Sequence, residues 1–262
     1  MKIGIVGYGT VGISVEALFR DSRHELVIYD KFKTGYESGA AKQAVAQADL
    51  VFVCVPTPAL PSGACDTSAV EECVEWIKAA ICIKSTIPPG TTDKLAESRG
   101  KPVVFSPEYI GETRFHPYKS NPCTDLVVVG GARQHAAPIL DLYQEVLGPI
   151  PRYFLTDAIV AEFAKYMENS FLAMKVAFVG QFYQLATALN VDFQDAREIW
   201  LADSRIGRSH SAVIGNPGFG GSCLPKDLAA IIDVAKRHQV NAHLLEAVQL
   251  FDQTRQVRDS RT

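Results

Sequence analysis

Residues 2–30 constrain the fold of this chain most strongly. Lys2-Ile3-Gly4-Ile5-Val6 is a short apolar run, and Gly7-Tyr8-Gly9-Thr10-Val11-Gly12 follows it. Val15, Leu18 and Phe19 then recur at helical spacing, and residues 25–29 read as a second strand ending at Asp30. Strand, G-x-G-x-x-G, helix, strand and acid make a βαβ unit whose first turn is tight and lets another group approach its backbone. The N–H groups at the start of a helix suit a pyrophosphate. Gly7, Gly9, Val11 and Gly12 are therefore the expected contacts of a dinucleotide. Asp30, eighteen residues after Gly12, is the expected partner of ribose hydroxyls. Its charge repels a 2′-phosphate, which favours NAD over NADP. The alternative is a tight β–α turn with no ligand.

Strands and helices alternate beyond this unit. Residues 50–55, 81–85, 103–106, 125–129 and 153–156 read as strands, and 69–80, 91–97 and 134–147 as helices. The strands are continuously apolar, which predicts a parallel sheet covered on both faces. From 157 to 189 there is no proline and one glycine, Gly180. That stretch is apolar nearly all round and predicts a long helix buried on most sides, between domains or at a subunit interface. Helices are also expected over 192–201, after 223 and from 241. The expected fold is α/β, with a Rossmann-like sheet domain over 1–155 and an all-helical domain with a long central helix over 156–262. A formal net charge of -3 gives no sign of a nucleic-acid partner, and no apolar run is long enough for a membrane span. The N-terminus has no signal-peptide pattern, and none of the six cysteines forms C-x-x-C. These features predict a cytoplasmic chain with reduced thiols and no metal site.

Residues 215–227 read G-N-P-G-F-G-G-S-C-L-P-K-D, with four glycines in the first seven. Pro225 and the apolar run after it predict a helix beginning here. Cys223 then lies at or just before a helix N-terminus, where positive potential favours the nucleophilic thiolate. A small buried cysteine in a glycine-rich turn is the plainer alternative. Lys165 and Asn169 lie four apart on one face of the long helix, either as oxyanion donors or as a snorkelling lysine and a surface amide. Thr57 and Thr86 end strands in proline-marked turns, where a hydroxyl faces a ligand or caps the next turn. Glu108 and Glu112 share a face if their turn is helical.

G-F-G-G-S-C-L-P-K-D closely resembles the active-site signature of the UDP-glucose/GDP-mannose (nucleotide-sugar) dehydrogenase family. Val55-Pro56-Thr57-Pro58, the turn from Ser85 to Thr91, Ser106-Pro107-Glu108-Tyr109-Ile110-Gly111-Glu112, the A-E-x-x-K-x-x-x-N-x-x-L-A run from Ala161 to Ala173, and Asp203-Ser204-Arg205-Ile206-Gly207 resemble its other motifs, in the same order. The resemblance implies an NAD-dependent oxidation of a nucleotide-sugar alcohol, such as that of UDP-glucose, to a carboxylate through a thioester on Cys223. Lys165 and Asn169 would stabilise oxyanions, and Thr86 and Asp227 would hold a water that takes a proton. Glu108 would activate water against the thioester. It further places Thr57, Thr86, Glu112 and Lys226 at the cofactor, and Glu108, Glu112, Lys165, Asn169, Gly220 and Arg205 at the substrate. Arg205 would reach a neighbouring subunit, and the long helix would be the core of a homodimer.

Members of the family normally continue into another α/β domain that clasps the UDP, which needs about 100 to 150 further residues. Its lack predicts that a partner chain supplies nucleotide recognition, that the substrate differs, or that the product is truncated. Two other classes stay open. One is a two-electron 3-hydroxyacid dehydrogenase, which needs no cysteine. The other is a non-catalytic NAD-binding protein.

Overall fold

The structure, a computed structural model, describes residues 1–109, 125–213, 218–219, 221 and 223–259, with side chains to 254. Two compact units are present: residues 1–58 with 65–165, and residues 59–64 with 166–262. The division falls inside the long helix.

The first unit is a seven-stranded sheet with helices. Its elements are β1 (Lys2–Val6), α1 (Thr10–Phe19), β2 (Glu25–Tyr29), α2 (Gly39–Ala46), β3 (Leu50–Val53), α3 (Ser68–Trp76), β4 (Ala80–Ile83), α4 (Thr91–Arg99), β5 (Val103–Phe105), β6 (Leu126–Gly130), α5 (Arg133–Leu147) and β7 (Arg152–Thr156). The strand order is β2-β1-β3-β4-β5-β6-β7. The chain leaves β1 toward β2 on one side and later returns to β3 on the other. The turn after β1 therefore opens at the switch point where ligands of such sheets bind.

One expectation is corrected. The sheet is not parallel throughout: β5 and β6 meet antiparallel, with Phe105 opposite Gly130, while β6 and β7 are parallel to each other. A run such as Val127-Val128-Val129 is apolar in either direction, so its composition reports burial on both faces but not strand polarity. Alternate strand residues do face opposite layers. Val51, Val53, Ile81 and Ile83 join Val45, Val70 and Val74 on one face. Leu50, Phe52 and Cys82 join Val15, Phe19, Ile139 and Leu142 of α1 and α5 on the other. Helix α2 was not foreseen. It is Gly/Ala-rich and buries Val45 alone, so it carries little periodic signal, but Ser38 caps it by accepting from Ala41 N–H.

The second unit contains most of α6 (Ala158–Leu189), then α7 (Phe193–Leu201), α8 (Cys223–Arg237) and α9 (His243–Asp259). Asp192 caps α7 through the N–H groups of Gln194 and Asp195. Ala173, Ala177, Phe219, Leu228, Ile232 and Val248 form this unit's core.

Candidate active site

The glycines after β1 serve different needs. Gly7 has φ +85, and a Cβ there would lie 2.7 Å from the Cys54 carbonyl oxygen. A Cβ on Gly12 would lie 2.0 Å from the Gly7 oxygen, so α1 packs against the turn only with glycine at that position. Gly9 has nothing within 4 Å, which leaves the face open beside the first turn of α1. The N-cap residue of that helix, Gly9, has no side chain to cap it, and no cap bond occurs there among the described residues, so its first N–H groups stay available. This cradle fits a pyrophosphate. Val11 lies half-buried in the same first turn.

Asp30, after β2, reaches the same turn. Its Oδ2 accepts from Tyr8 N–H at 2.6 Å, and its Oδ1 accepts from Phe32 N–H at 2.8 Å and Lys33 N–H at 3.0 Å. Burial raises its pKa, but these bonds and the Lys33 charge outweigh that and hold it below the ordinary carboxylate value. Lys33 Nζ also donates to Tyr8 O at 3.0 Å and lies 4.2 Å from the Tyr8 ring. The place of Lys33 beside Asp30 was not foreseen.

The turns after β3 and β4 are stitched together. Thr57 Oγ1 donates to Thr86 O at 2.9 Å, and Ser85 Oγ donates to Val55 O at 2.6 Å. Thr57 is buried and Thr86 half-buried. Thr57 therefore uses its one proton on backbone, leaving its lone pairs for any further partner. Glu162, fully buried on α6, holds the far end of the second turn. It accepts from Gly90 N–H at 2.6 Å, Thr92 N–H at 2.8 Å and the Thr92 hydroxyl at 2.6 Å. A carboxylate on the first turn of α4 satisfies N–H groups that no local side chain caps.

Glu108 follows β5. Its Oε1 accepts from Tyr109 N–H at 3.1 Å, and its Oε2 lies 3.3 Å from Lys84 Nζ. Lys84 was missed in the sequence, although a lysine directly after a buried strand must find a partner for its charge. Lys165 is buried on α6 with its Nζ 4.4 Å from the Tyr109 ring centre.

In the helical unit, Asn169 is buried on α6 and its Nδ2 donates to Asp227 Oδ2 at 2.6 Å. Lys226 pairs with Asp227 Oδ1 at 2.5 Å, so the buried carboxylate is engaged on both oxygens. Both residues lie in the first turns of α8, whose first residue is Cys223, half-buried. The unforeseen Asp252 of α9 is also buried and accepts from Phe219 N–H at 3.0 Å. Arg205 is exposed and folded back on Asp203, with Nε 2.9 Å from Oδ1. Its loop is held by buried Lys175, which donates to Ile206 O at 3.1 Å and Gly207 O at 2.7 Å. Glu112 and Gly220 lie outside the described residues.

Other thiols differ from Cys223 in setting. Burial pushes Cys73 and Cys82 up to about 12 and Cys54 above the usual thiol range. No group of ligating side chains suited to a metal occurs among the described residues. No helix among them is long and apolar enough to cross a membrane.

The NAD binding domain of the UDP-glucose/GDP-mannose dehydrogenase family matches residues 32–147, and the central domain of the same family matches residues 159–254. A putative UDP-glucose 6-dehydrogenase of Bacillus subtilis is 29% identical over 302 residues, spanning 97% of this chain and 68% of that protein. The UDP-glucose 6-dehydrogenase of Rickettsia prowazekii is 29% identical over 212 residues, 76% of this chain and 48% of the relative. The chain thus spans about half to two thirds of the length of these curated relatives. A UDP-glucose dehydrogenase structure from Pyrobaculum islandicum matches with TM-score 0.81 and 27% identity, covering 97% of this chain and 68% of that one.

Proposed function

The chain belongs to the UDP-glucose/GDP-mannose dehydrogenase family and carries its NAD-binding domain, and from that premise we propose that it oxidises a nucleotide-sugar primary alcohol to a carboxylate. The substrate class is UDP-glucose-like, and the reaction passes through a thioester on Cys223. The observation that carries this reading is the 2.6 Å bond from Asn169 to Asp227, which ties α6 to the helix that begins at Cys223. A merely structural cysteine has no need of a lysine and a buried carboxylate three and four residues after it, the carboxylate held by a buried amide of α6.

Two NAD molecules, bound in succession, would each accept one hydride. Gly7, Gly9, Val11 and Gly12 would hold the pyrophosphate of each, and Asp30 the adenosine ribose. Thr57, Thr86 and Lys226 keep their cofactor assignments, and Arg205 its assignment to a substrate in a neighbouring subunit. Asp227, balanced by Lys226, holds the water that takes the proton of the alcohol. The Cys223 thiolate bonds to the aldehyde carbon, and Lys165 and Asn169 donate to the oxygen that becomes negative. Oxidation of that adduct leaves a thioester on the Cys223 sulfur. Glu108 removes a proton from water, whose oxygen attacks the thioester carbon. The carboxylate departs and the thiolate is restored. Covalent capture divides one hard oxidation into easier steps and retains the aldehyde.

The test is the NADH yield per molecule of UDP-glucose and of related nucleotide sugars. Two NADH and one acid per sugar are expected for the true substrate. One NADH per substrate, with no acid, would return the chain to the two-electron class. No NADH with any of them would leave a binding role.

A further inference from the structure

Glu108 and Lys84 form a buried pair to which the thioester chemistry gives only the acid a part. Their side chains are 10% and 4% exposed. An ammonium so deeply buried is tolerated only with a charge partner and filled hydrogen bonds. Lys84 has both. Its Nζ lies 3.3 Å from Glu108 Oε2, 3.1 Å from the Tyr143 hydroxyl and 3.4 Å from Pro107 O. These three partners match the three protons of an ammonium. Ser106 Oγ donates in turn to the Tyr143 hydroxyl at 3.2 Å. β4 and β5 are neighbouring parallel strands, so residues just beyond their carboxyl ends come together on one edge of the sheet.

We propose that Lys84 is a positioning residue for Glu108: its ammonium fixes one carboxylate oxygen and so sets the orientation of the base for hydrolysis of the thioester. This rests on the reading of Glu108 as that base. Burial works against the Lys84 charge, but Glu108 and then Tyr143 hold its pKa above the usual lysine range. Among the described residues, the other groups around the pair are neutral or engaged elsewhere. Burial pushes Tyr143 of α5 and Cys82 of β4 up to about 12, and Cys54 beyond β3 above the usual thiol range. Lys165 of α6 lies over the Tyr109 ring. A cavity of about 20 Å³ borders the pair, lined by Ser14, Lys84, Ser106, Glu108 and Tyr143 among others, with room for one water. Ser14 Oγ is buried there without a partner among the described residues.

The experiment compares Lys84→Met and Lys84→Arg with the wild type on the nucleotide sugar that gives two NADH. In Lys84→Met both hydride steps should proceed in a single turnover, while acid release slows about a hundredfold. Intact-protein mass should show the acyl adduct accumulating on Cys223. Lys84→Arg should restore part of the rate. Acid release at the wild-type rate in Lys84→Met, or no recovery at all in Lys84→Arg, overturns the proposal. Urea unfolding of Lys84→Met, Glu108→Gln and the double variant tests the pair without any substrate. Lys84→Met alone should be less stable than the double variant, and additive effects would contradict the pairing. A wild type that makes no NADH overturns the functional reading and the assigned role of Glu108 with it, while the unfolding cycle still decides whether the two groups are coupled.

Discussion

At the scale of single residues, environment separates side chains that look alike in sequence. Cys54, Cys73 and Cys82 are thiols whose burial suppresses ionisation, whereas Cys223 starts a helix with a lysine, Lys226, three residues after it. Substoichiometric alkylation at neutral pH followed by peptide mapping should therefore label Cys223 first. Preferential labelling of any other cysteine would contradict the account. Asp30 makes a different point. Its folded pKa lies below its ordinary value of 3.8, so the stability it contributes is present above about pH 4 and lost as pH falls through the folded value. Asp30→Ala should therefore lose stability at pH 7, and the gap to the wild type should shrink toward pH 3 in urea titrations. The same carboxylate should make NAD bind more tightly than NADP, and the alanine variant should narrow that preference, with Lys33 left as the nearby cation. Equal affinities for the two cofactors in the wild type would reject the assignment.

At the scale of elements, the glycines, Asp30 and the strand runs were legible because each rests on local rules of backbone and period. Lys84, Glu162, Lys175 and Asp252 were not, because each acts on backbone or charge far away in sequence. Glu162 shows the consequence. Its three bonds hold the turn from Gly90 to Thr92 against α6, the helix that carries Lys165 and Asn169. Glu162→Ala leaves three donors without that partner, and should cost about 3 kcal/mol or more in chemical unfolding. Glu162→Gln retains an acceptor oxygen and should cost less. A neutral alanine substitution would show that the turn holds itself. Strand direction was equally illegible, since β6 reads the same whether it runs with its neighbour or against it.

At the scale of the whole molecule, α6 presents an apolar stripe that is exposed among the described residues. Val160, Phe163, Met167, Phe171, Phe178, Phe182, Leu185 and Leu189 are all exposed and recur every three, four or seven residues. A chain reading that predicts burial on most sides therefore holds only if something else covers this face. A second copy of the chain is the expected cover, since contiguous apolar surface of this kind seeks association. Light scattering at micromolar concentration should give a mass above that of one chain, and Phe171→Asp should reduce it. A wild-type monomer would contradict this. The central claim is the covalent role of Cys223, and it is tested most directly by product analysis of Cys223→Ser on the nucleotide sugar that the wild type oxidises. The first oxidation needs no thiol, so the variant should still form aldehyde and one NADH. A serine hydroxyl is a far weaker nucleophile at pH 7, so free acid should appear much more slowly than in the wild type. Acid formed by Cys223→Ser at the wild-type rate would contradict the thioester.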